Sequence, residues 1–109
     1  LATRLMSVIA VEDHAEWFQQ IWRISGASTR DHPAPVPLNL AERLIRMFSF
    51  VGDTVFDPFL GTGTTSAAAA ACGRNSIGCE VDPAYFANCV ERVGSAVKGS
   101  CHTALDLSA

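Results

Sequence analysis

Two carboxylates and one glycine-rich turn are the residues of this chain best suited to chemistry. Asp57 opens the run Asp57-Pro58-Phe59-Leu60-Gly61-Thr62-Gly63-Thr64-Thr65, and Glu80 follows Gly61 by 19 residues. At that interval an acid after a second strand reaches the ribose hydroxyls of a bound adenosine. A carboxylate accepts two hydrogen bonds from a 2′,3′-diol, which selects unphosphorylated ribose. Gly61 and Gly63 permit backbone conformations and close approaches that a Cβ would block, and Thr64 or Thr65 can cap a following helix. A pyrophosphate site fits less well, because Ser66 stands where a dinucleotide fingerprint has its third glycine and no lysine follows the turn. Asp57 would also repel phosphate while attracting an ammonium group. The ligand implied has adenosine at one end and an amino acid at the other, with Asp57 for the ammonium, the helix start near Thr64 for the carboxylate and Glu80 for the ribose.

The elements that must hold these residues follow from the pattern around them. Thr54-Val55-Phe56 has the β-branched and aromatic content of a short buried strand after the turn residues Gly52-Asp53, which places Asp57 at the strand's carboxyl end, where open α/β sheets bind ligands. Thr65 to Cys72 is expected to be helical, and Ala67 to Ala71 would let that helix lie close on a sheet. Gly73 is its left-handed stop, and Ser76 to Val81 is the second strand. Asp82-Pro83 opens a helix with Phe86, Cys89, Val90, Val93 and Val97 on one face, weakened at Gly94 and ending near Gly99. Upstream, Asp13 is expected to cap a helix to about Ile24, with Trp17, Phe18, Ile21 and Trp22 facing the core. Gly26 to Arg30 reads as a polar turn and His32 to Pro37 as a stiff extended segment. Asn39 and Glu42 resemble a capping box for a helix whose buried stripe is Leu40, Leu44, Ile45 and Phe48, with Arg43 and Arg46 on the solvated side. Residues 1–11 read equally as a strand or as the tail of another element, and Thr103-Ala104-Leu105 as a third strand or as disordered.

Composition narrows the class. With 109 residues and 49% apolar content the chain is one domain with a modest core. The net charge is −3, with five basic against five acidic residues in 1–50 and three against six in 51–109, so no basic stripe marks a nucleic-acid surface. The four cysteines lack zinc-site spacing and are read as reduced core thiols of a cytoplasmic protein, with no metal expected. The apolar run Leu5 to Val11 is too short to span a membrane, and no cleavage site follows Arg4 to make it a signal peptide. The first residue is not methionine, which places the expected start upstream.

S-adenosylmethionine has the layout that Asp57, Thr64 and Glu80 call for. Taken together, His32-Pro33-Ala34-Pro35-Val36-Pro37, Leu44-Ile45, Gly52-Asp53, Asp57 to Thr65 and Gly78-Cys79-Glu80-Val81-Asp82-Pro83-Ala84-Tyr85 resemble the carboxyl-terminal part of DNA methyltransferases that modify the exocyclic amino group of cytosine or adenine. The resemblance is to the permuted order, in which the catalytic half precedes the cofactor half, and it runs from about Trp17 to Val97. It implies an α/β fold, a partial Rossmann-like methyltransferase core of two or three parallel strands with flanking helices. The cofactor-binding part would occupy residues 12–98, between an apolar amino-terminal segment, 1–11, and a tail, 99–109.

Carried over residue by residue, the resemblance assigns Asp57, Phe59, Gly61, Gly63, Thr64 and Thr65 to the cofactor loop. It makes Glu80 the ribose acid, sets Val81 and Asp82 beside the adenine, and has His32 to Pro35 closing over the methionine end. Simpler readings stand beside these: Pro58 shaping the turn, Phe59 and Val81 as core, Asp82 as a helix cap. Asp57 and Glu80 are the hardest to read as scaffold. The family's catalytic tetrapeptide is an Asp, Asn or Ser followed by two prolines and an aromatic, and this sequence has no Pro-Pro pair. The tetrapeptide holds the flipped-out base for direct methyl transfer. Contact with DNA would then run through a catalytic and target-recognition part beyond these residues. Two or three strands leave edges and apolar faces uncovered, so the chain is expected to self-associate or to dock with a complementing subunit. The competing reading is a non-catalytic homo-oligomeric or partner-docking module that keeps the fold.

Overall fold

The structure, a computed structural model, describes residues 1–26, 30 and 35–98. The elements in order are α1 (Ala2–Met6), α2 (Val11–Trp17), α3 (Leu38–Phe48), β1 (Thr54–Asp57), α4 (Thr64–Ala71), β2 (Asn75–Gly78) and α5 (Pro83–Lys98). Strands β1 and β2 pair in parallel, Thr54 with Asn75 through Asp57 with Gly78, and α4 makes the crossover between them. A parallel pair needs such a connection because a hairpin cannot reverse the chain twice. Both strands therefore end at the same edge, and the turns after Asp57 and Gly78 lie side by side. They are stitched together by Cys79 N donating to Asp57 O at 3.0 Å and Leu60 N donating to Cys79 O at 2.9 Å.

Helix α4 is the centre of the molecule. It touches both strands, α3 and α5, and Ala68 and Ala69 are fully buried. A helix that packs against four elements can approach them closely only with small side chains, which is what the alanine run supplies. Ala41 and Ile45 of α3 meet Ala68 and Ala69 in the core, joined by Val55 and Cys72. Gly73, at φ +73°, ends α4 in the left-handed conformation expected of it. The strands are half-buried rather than buried: Val55, Asp57, Ser76 and Gly78 face α4, and Phe56 and Ile77 remain 62% and 59% exposed on the other face. The second strand stops at Gly78, three residues short of the expected Val81, because Cys79 and Leu60 divert the backbone into the turn.

The amino-terminal third departs most from expectation. Residues 2–6 form a short helix, and α2 stops at Trp17 instead of running to Ile24. Trp22 Nε1 donates to Trp17 O at 2.7 Å, using the carbonyl that a longer helix would have bonded internally. Trp17 is buried, whereas Phe18 and Ile21 are exposed. Helix α3 begins one residue after Pro37, whose carbonyl accepts from Leu40 and Ala41, so Asn39 lies inside the helix and provides no cap. Its buried stripe is Ala41 and Ile45, with Leu44 and Phe48 exposed.

Arg43 and Arg46 are not on a solvated face. Arg43 sits over the rings of Trp17 and Trp22, at 5.4 and 5.1 Å, and pairs with Glu16 at 2.9 Å; Arg46 lies 4.8 Å from the Trp17 ring. These cation–π contacts bind α2 to α3. Arg74, only 5% exposed, does comparable work at the other end of α3. It donates to Cys72 O at 2.6 Å and to Ser49 O at 2.7 Å, so one guanidinium closes the carboxyl ends of α4 and α3. Of the cysteines, Cys89 is buried, Cys72 half-buried and Cys79 exposed, which removes Cys79 from the expected core thiols. Helix α5 continues through Gly94 to Lys98; its expected stop at Gly99, Cys101 and the candidate third strand lie outside the described residues.

Candidate functional site

The turn between β1 and α4 is built from β1 outward. Asp57 Oδ1 accepts from Phe59 N at 2.9 Å and Oδ2 accepts from Thr65 Oγ1 at 2.6 Å, so the carboxylate holds both the first bend of the turn and the first turn of α4. Pro58 lies in the turn itself. Gly61 and Gly63 have φ of +59° and +86°, conformations that a side chain disfavours. Gly63 is also the residue from which α4 starts, with Gly63 O accepting from Ala67 N at 2.9 Å and no side-chain cap from either threonine. A Cβ on Gly63 would lie 2.8 Å from Cys89 Sγ and 3.2 Å from Cys89 Cα. The glycine is thus required twice, by its torsion and by the closeness of α5.

Glu80 joins the turn from β2. Its Oε2 accepts from Gly61 N at 2.8 Å and its Oε1 from Asp82 N at 2.8 Å. Asp57 and Glu80 therefore both have scaffold roles, each accepting two hydrogen bonds within the chain. Each carboxylate has about four lone-pair sites, which leaves room for ligand donors. Asp82 Oδ1 accepts from Ala84 N and Tyr85 N at 2.8 and 3.1 Å, the helix-capping role that the sequence offered as its simpler reading. Phe59 and Val81, by contrast, are 89% and 97% exposed, which rules out core positions for both. Both are apolar side chains left open to solvent.

Pro35, Asp57, Phe59, Gly61, Thr64 and Thr65 line a cleft of about 60 Å³ together with Val36, Leu60 and Thr62. That room admits a small polar group rather than a whole nucleoside. The structure thus brings Pro35, Asp57, Phe59, Gly61, Thr64 and Thr65 to one cleft, ties Glu80 to it through the Gly61 amide, and leaves Gly63 as its support, with Val81 exposed and Asp82 capping α5. His32 lies outside the described residues. Among the described residues no group of three His, Cys, Asp or Glu side chains is placed to hold a metal ion. Sequence reasoning passed over Leu60, Thr62 and Arg92. Thr62 stood between two glycines already singled out, whereas Arg92 sits mid-helix with no local signal. Burial raises the Cys89 thiol pKa above its ordinary value, with Arg92 partly opposing and Glu80 adding to the shift.

The sequence model of the N6/N4 DNA methylases matches residues 3–91. The chain belongs to the DNA methylase family. It is 46% identical over 97 residues to the type II methyltransferase M.MjaI of Methanocaldococcus jannaschii, covering 84% of this chain and 32% of that relative. With M.MthZI of Methanothermobacter thermautotrophicus it shares 48% identity over 79 residues, covering 65% of this chain and 22% of the relative. Among solved structures, TTHA0409 of Thermus thermophilus, assigned as a DNA modification methylase and complexed with S-adenosyl-L-methionine, superposes with a TM-score of 0.75 at 46% identity. That superposition covers 96% of this chain and 41% of the other. The M1.HpyAVI complex with the same compound gives a TM-score of 0.58 at 35% identity, over 67% of this chain and 36% of that one. This DNA methylase chain accordingly spans about a third of its curated relative M.MjaI.

Proposed function

We propose that the chain is the S-adenosylmethionine-binding part of a cytoplasmic DNA methyltransferase of the restriction–modification kind, acting on the exocyclic amino group of adenine or cytosine. The observation that carries this reading is the placement of Asp57 and Glu80. Asp57 ends β1 and Glu80 lies two residues beyond the end of the adjacent parallel strand β2, so the two flank a glycine turn whose Gly61 amide donates to Glu80. Asp57 would take the ammonium group, the start of α4 at Thr64 the carboxylate, Glu80 the ribose diol, and Phe59 and Val81 the faces of the adenine. Pro35, with His32 from the adjoining segment, would close the methionine end. The bound group supplies an electrophilic methyl for direct transfer to the base nitrogen. The chain's own residues orient it and shield it from water.

The target base would be held by a catalytic tetrapeptide, and DNA by a recognition part, both outside these 109 residues, since the sequence has no Pro-Pro pair. The isolated chain is expected to bind the cofactor weakly and to turn nothing over. Calorimetric titration of the full chain with S-adenosylmethionine, repeated on Asp57→Ala and Glu80→Ala, tests this. Weak saturable binding lost in both variants is the expected result. Binding that survives both substitutions, or none to the unaltered chain, would overturn it.

The bare face of the sheet at Phe56 and Ile77 favours a second reading, a homo-oligomeric or partner-docking module that keeps the methyltransferase fold without catalysis. In that case assembly would be retained in variants that bind no cofactor.

A further inference from the structure

Arg92 reaches from α5 to the glycine turn. Its Nη1 donates to Thr64 Oγ1 at 2.8 Å and to Thr62 Oγ1 at 3.2 Å. Both threonines are buried, and both also line the cleft beside Asp57. A guanidinium has donors and no acceptor, so each hydroxyl must accept from it and keeps its own O–H for an acceptor elsewhere. The cation makes those two O–H groups better donors than free threonines would be.

The turn between the threonines rests on the same stripe of α5. Gly63 lies against Cys89 and Val93, and positions 89, 92 and 93 share one helical face. On its other side Arg92 fronts a separate recess of about 380 Å³, which it lines with Thr62, Asn88, Glu91 and Ser95. The carboxylate of Glu91 makes that recess a poor place for a free anion. The influence of Arg92 on an anionic group is therefore directed through the threonines into the cleft.

We infer that Arg92 is a positioning residue of the cofactor cleft. It fixes the hydroxyls of Thr62 and Thr64 as donors toward the carboxylate end of S-adenosylmethionine without touching the ligand itself. This rests on the cofactor reading proposed above. It assigns to α5 a part in selecting the amino-acid end of the ligand.

The test compares S-adenosylmethionine with 5′-methylthioadenosine, which keeps the nucleoside and the sulfur and lacks the amino-acid end. Both are titrated against the full chain, Arg92→Gln and Arg92→Lys. Arg92→Gln is expected to weaken S-adenosylmethionine about tenfold, the size of one charge-assisted hydrogen bond, and to leave methylthioadenosine unchanged. Arg92→Lys, which keeps the charge, should recover part of the loss. Equal weakening of both ligands, or of neither, overturns the inference.

Amide hydrogen exchange on the ligand-free chain tests the tether separately. Arg92→Gln should speed exchange at Gly63 and Ala67 while Cys79, held by β1, keeps its rate; an unchanged Gly63 overturns the positioning role. If the unaltered chain binds neither ligand, the cofactor reading fails and takes the carboxylate assignment with it. The exchange result then still decides whether Arg92 holds the turn.

Discussion

The thiol of Cys89 lies directly beneath Gly63, so a residue with no part in ligand chemistry sets how closely α5 can approach the cofactor turn. Its burial has a measurable consequence. Desolvation raises the pKa of Cys89 from an ordinary value of 9.0, and it does the same at Cys72, where Glu42 adds to the shift and Arg74 and Arg46 oppose it. A folded-state pKa above the unfolded one means that the folded chain keeps its proton where the unfolded chain would lose it. The associated stability is present in full below pH 9 and is lost as pH rises through the shifted values. Midpoints of urea unfolding are therefore expected to fall as pH rises above 9.0, and to fall less in Cys89→Ala; an unchanged slope in that variant would exclude Cys89 as a source. Reactivity should follow exposure. In a Cys101→Ser background, maleimide is expected to label Cys79 first and Cys89 last.

At the scale of elements, α4 fixes everything else, because its alanines are the common contact of two strands and two helices. Ala68→Leu would force side-chain volume into a fully covered position and is expected to cost about 1–3 kcal/mol. Ala71→Leu, at an exposed position on the same helix, should change stability by no more than about 0.5 kcal/mol. Gly63→Ala adds an unfavourable torsion to a contact with Cys89 and is expected to cost about 1–3 kcal/mol. Chemical denaturation of the three variants decides the matter, and equal losses at Ala68 and Ala71 would mean that α4 is not enclosed as described. This element, β1 and α5 were legible in the sequence because local chemistry governs them: alanines, a left-handed glycine at 73, and Asp82 before Pro83. The end of α2, the start of α3 and the surroundings of Arg43 and Arg46 were not legible, since they depend on two tryptophans that meet α3 only after folding. Arg74 was invisible for the same reason, its partners being Ser49 and Cys72 at the ends of different helices. That Asp57 and Glu80 flank one glycine turn was legible from their spacing along one βαβ unit. Arg92 approaches that unit from 28 residues beyond Thr64 and left no local trace.

For the molecule as a whole, α4 packs on one face of the sheet, and among the described residues the other face carries Phe56 and Ile77 exposed. The second edge of β1 has no strand beside it among the described residues, and next to it α3 and β1 enclose an apolar groove of about 400 Å³, into which Leu44, Phe48 and Val55 contribute. No described helix is long and apolar enough to cross a membrane, so this surface is not explained by a bilayer-spanning helix. Exposed apolar strands with a free edge add further strands readily. The chain is accordingly expected to self-associate with rising concentration when it is alone, as seen by sedimentation velocity, and Phe56→Lys with Ile77→Lys should shift the distribution toward monomer. Because neither side chain lines the cleft at Asp57, the double variant should bind S-adenosylmethionine as the unaltered chain does. Supplying the catalytic segment of a relative as a separate polypeptide should replace self-association with a one-to-one complex, if the bare face is the seam of a methyltransferase. Self-association that persists in the double variant and ignores the added segment would place the contact elsewhere on the molecule and favour the non-catalytic module.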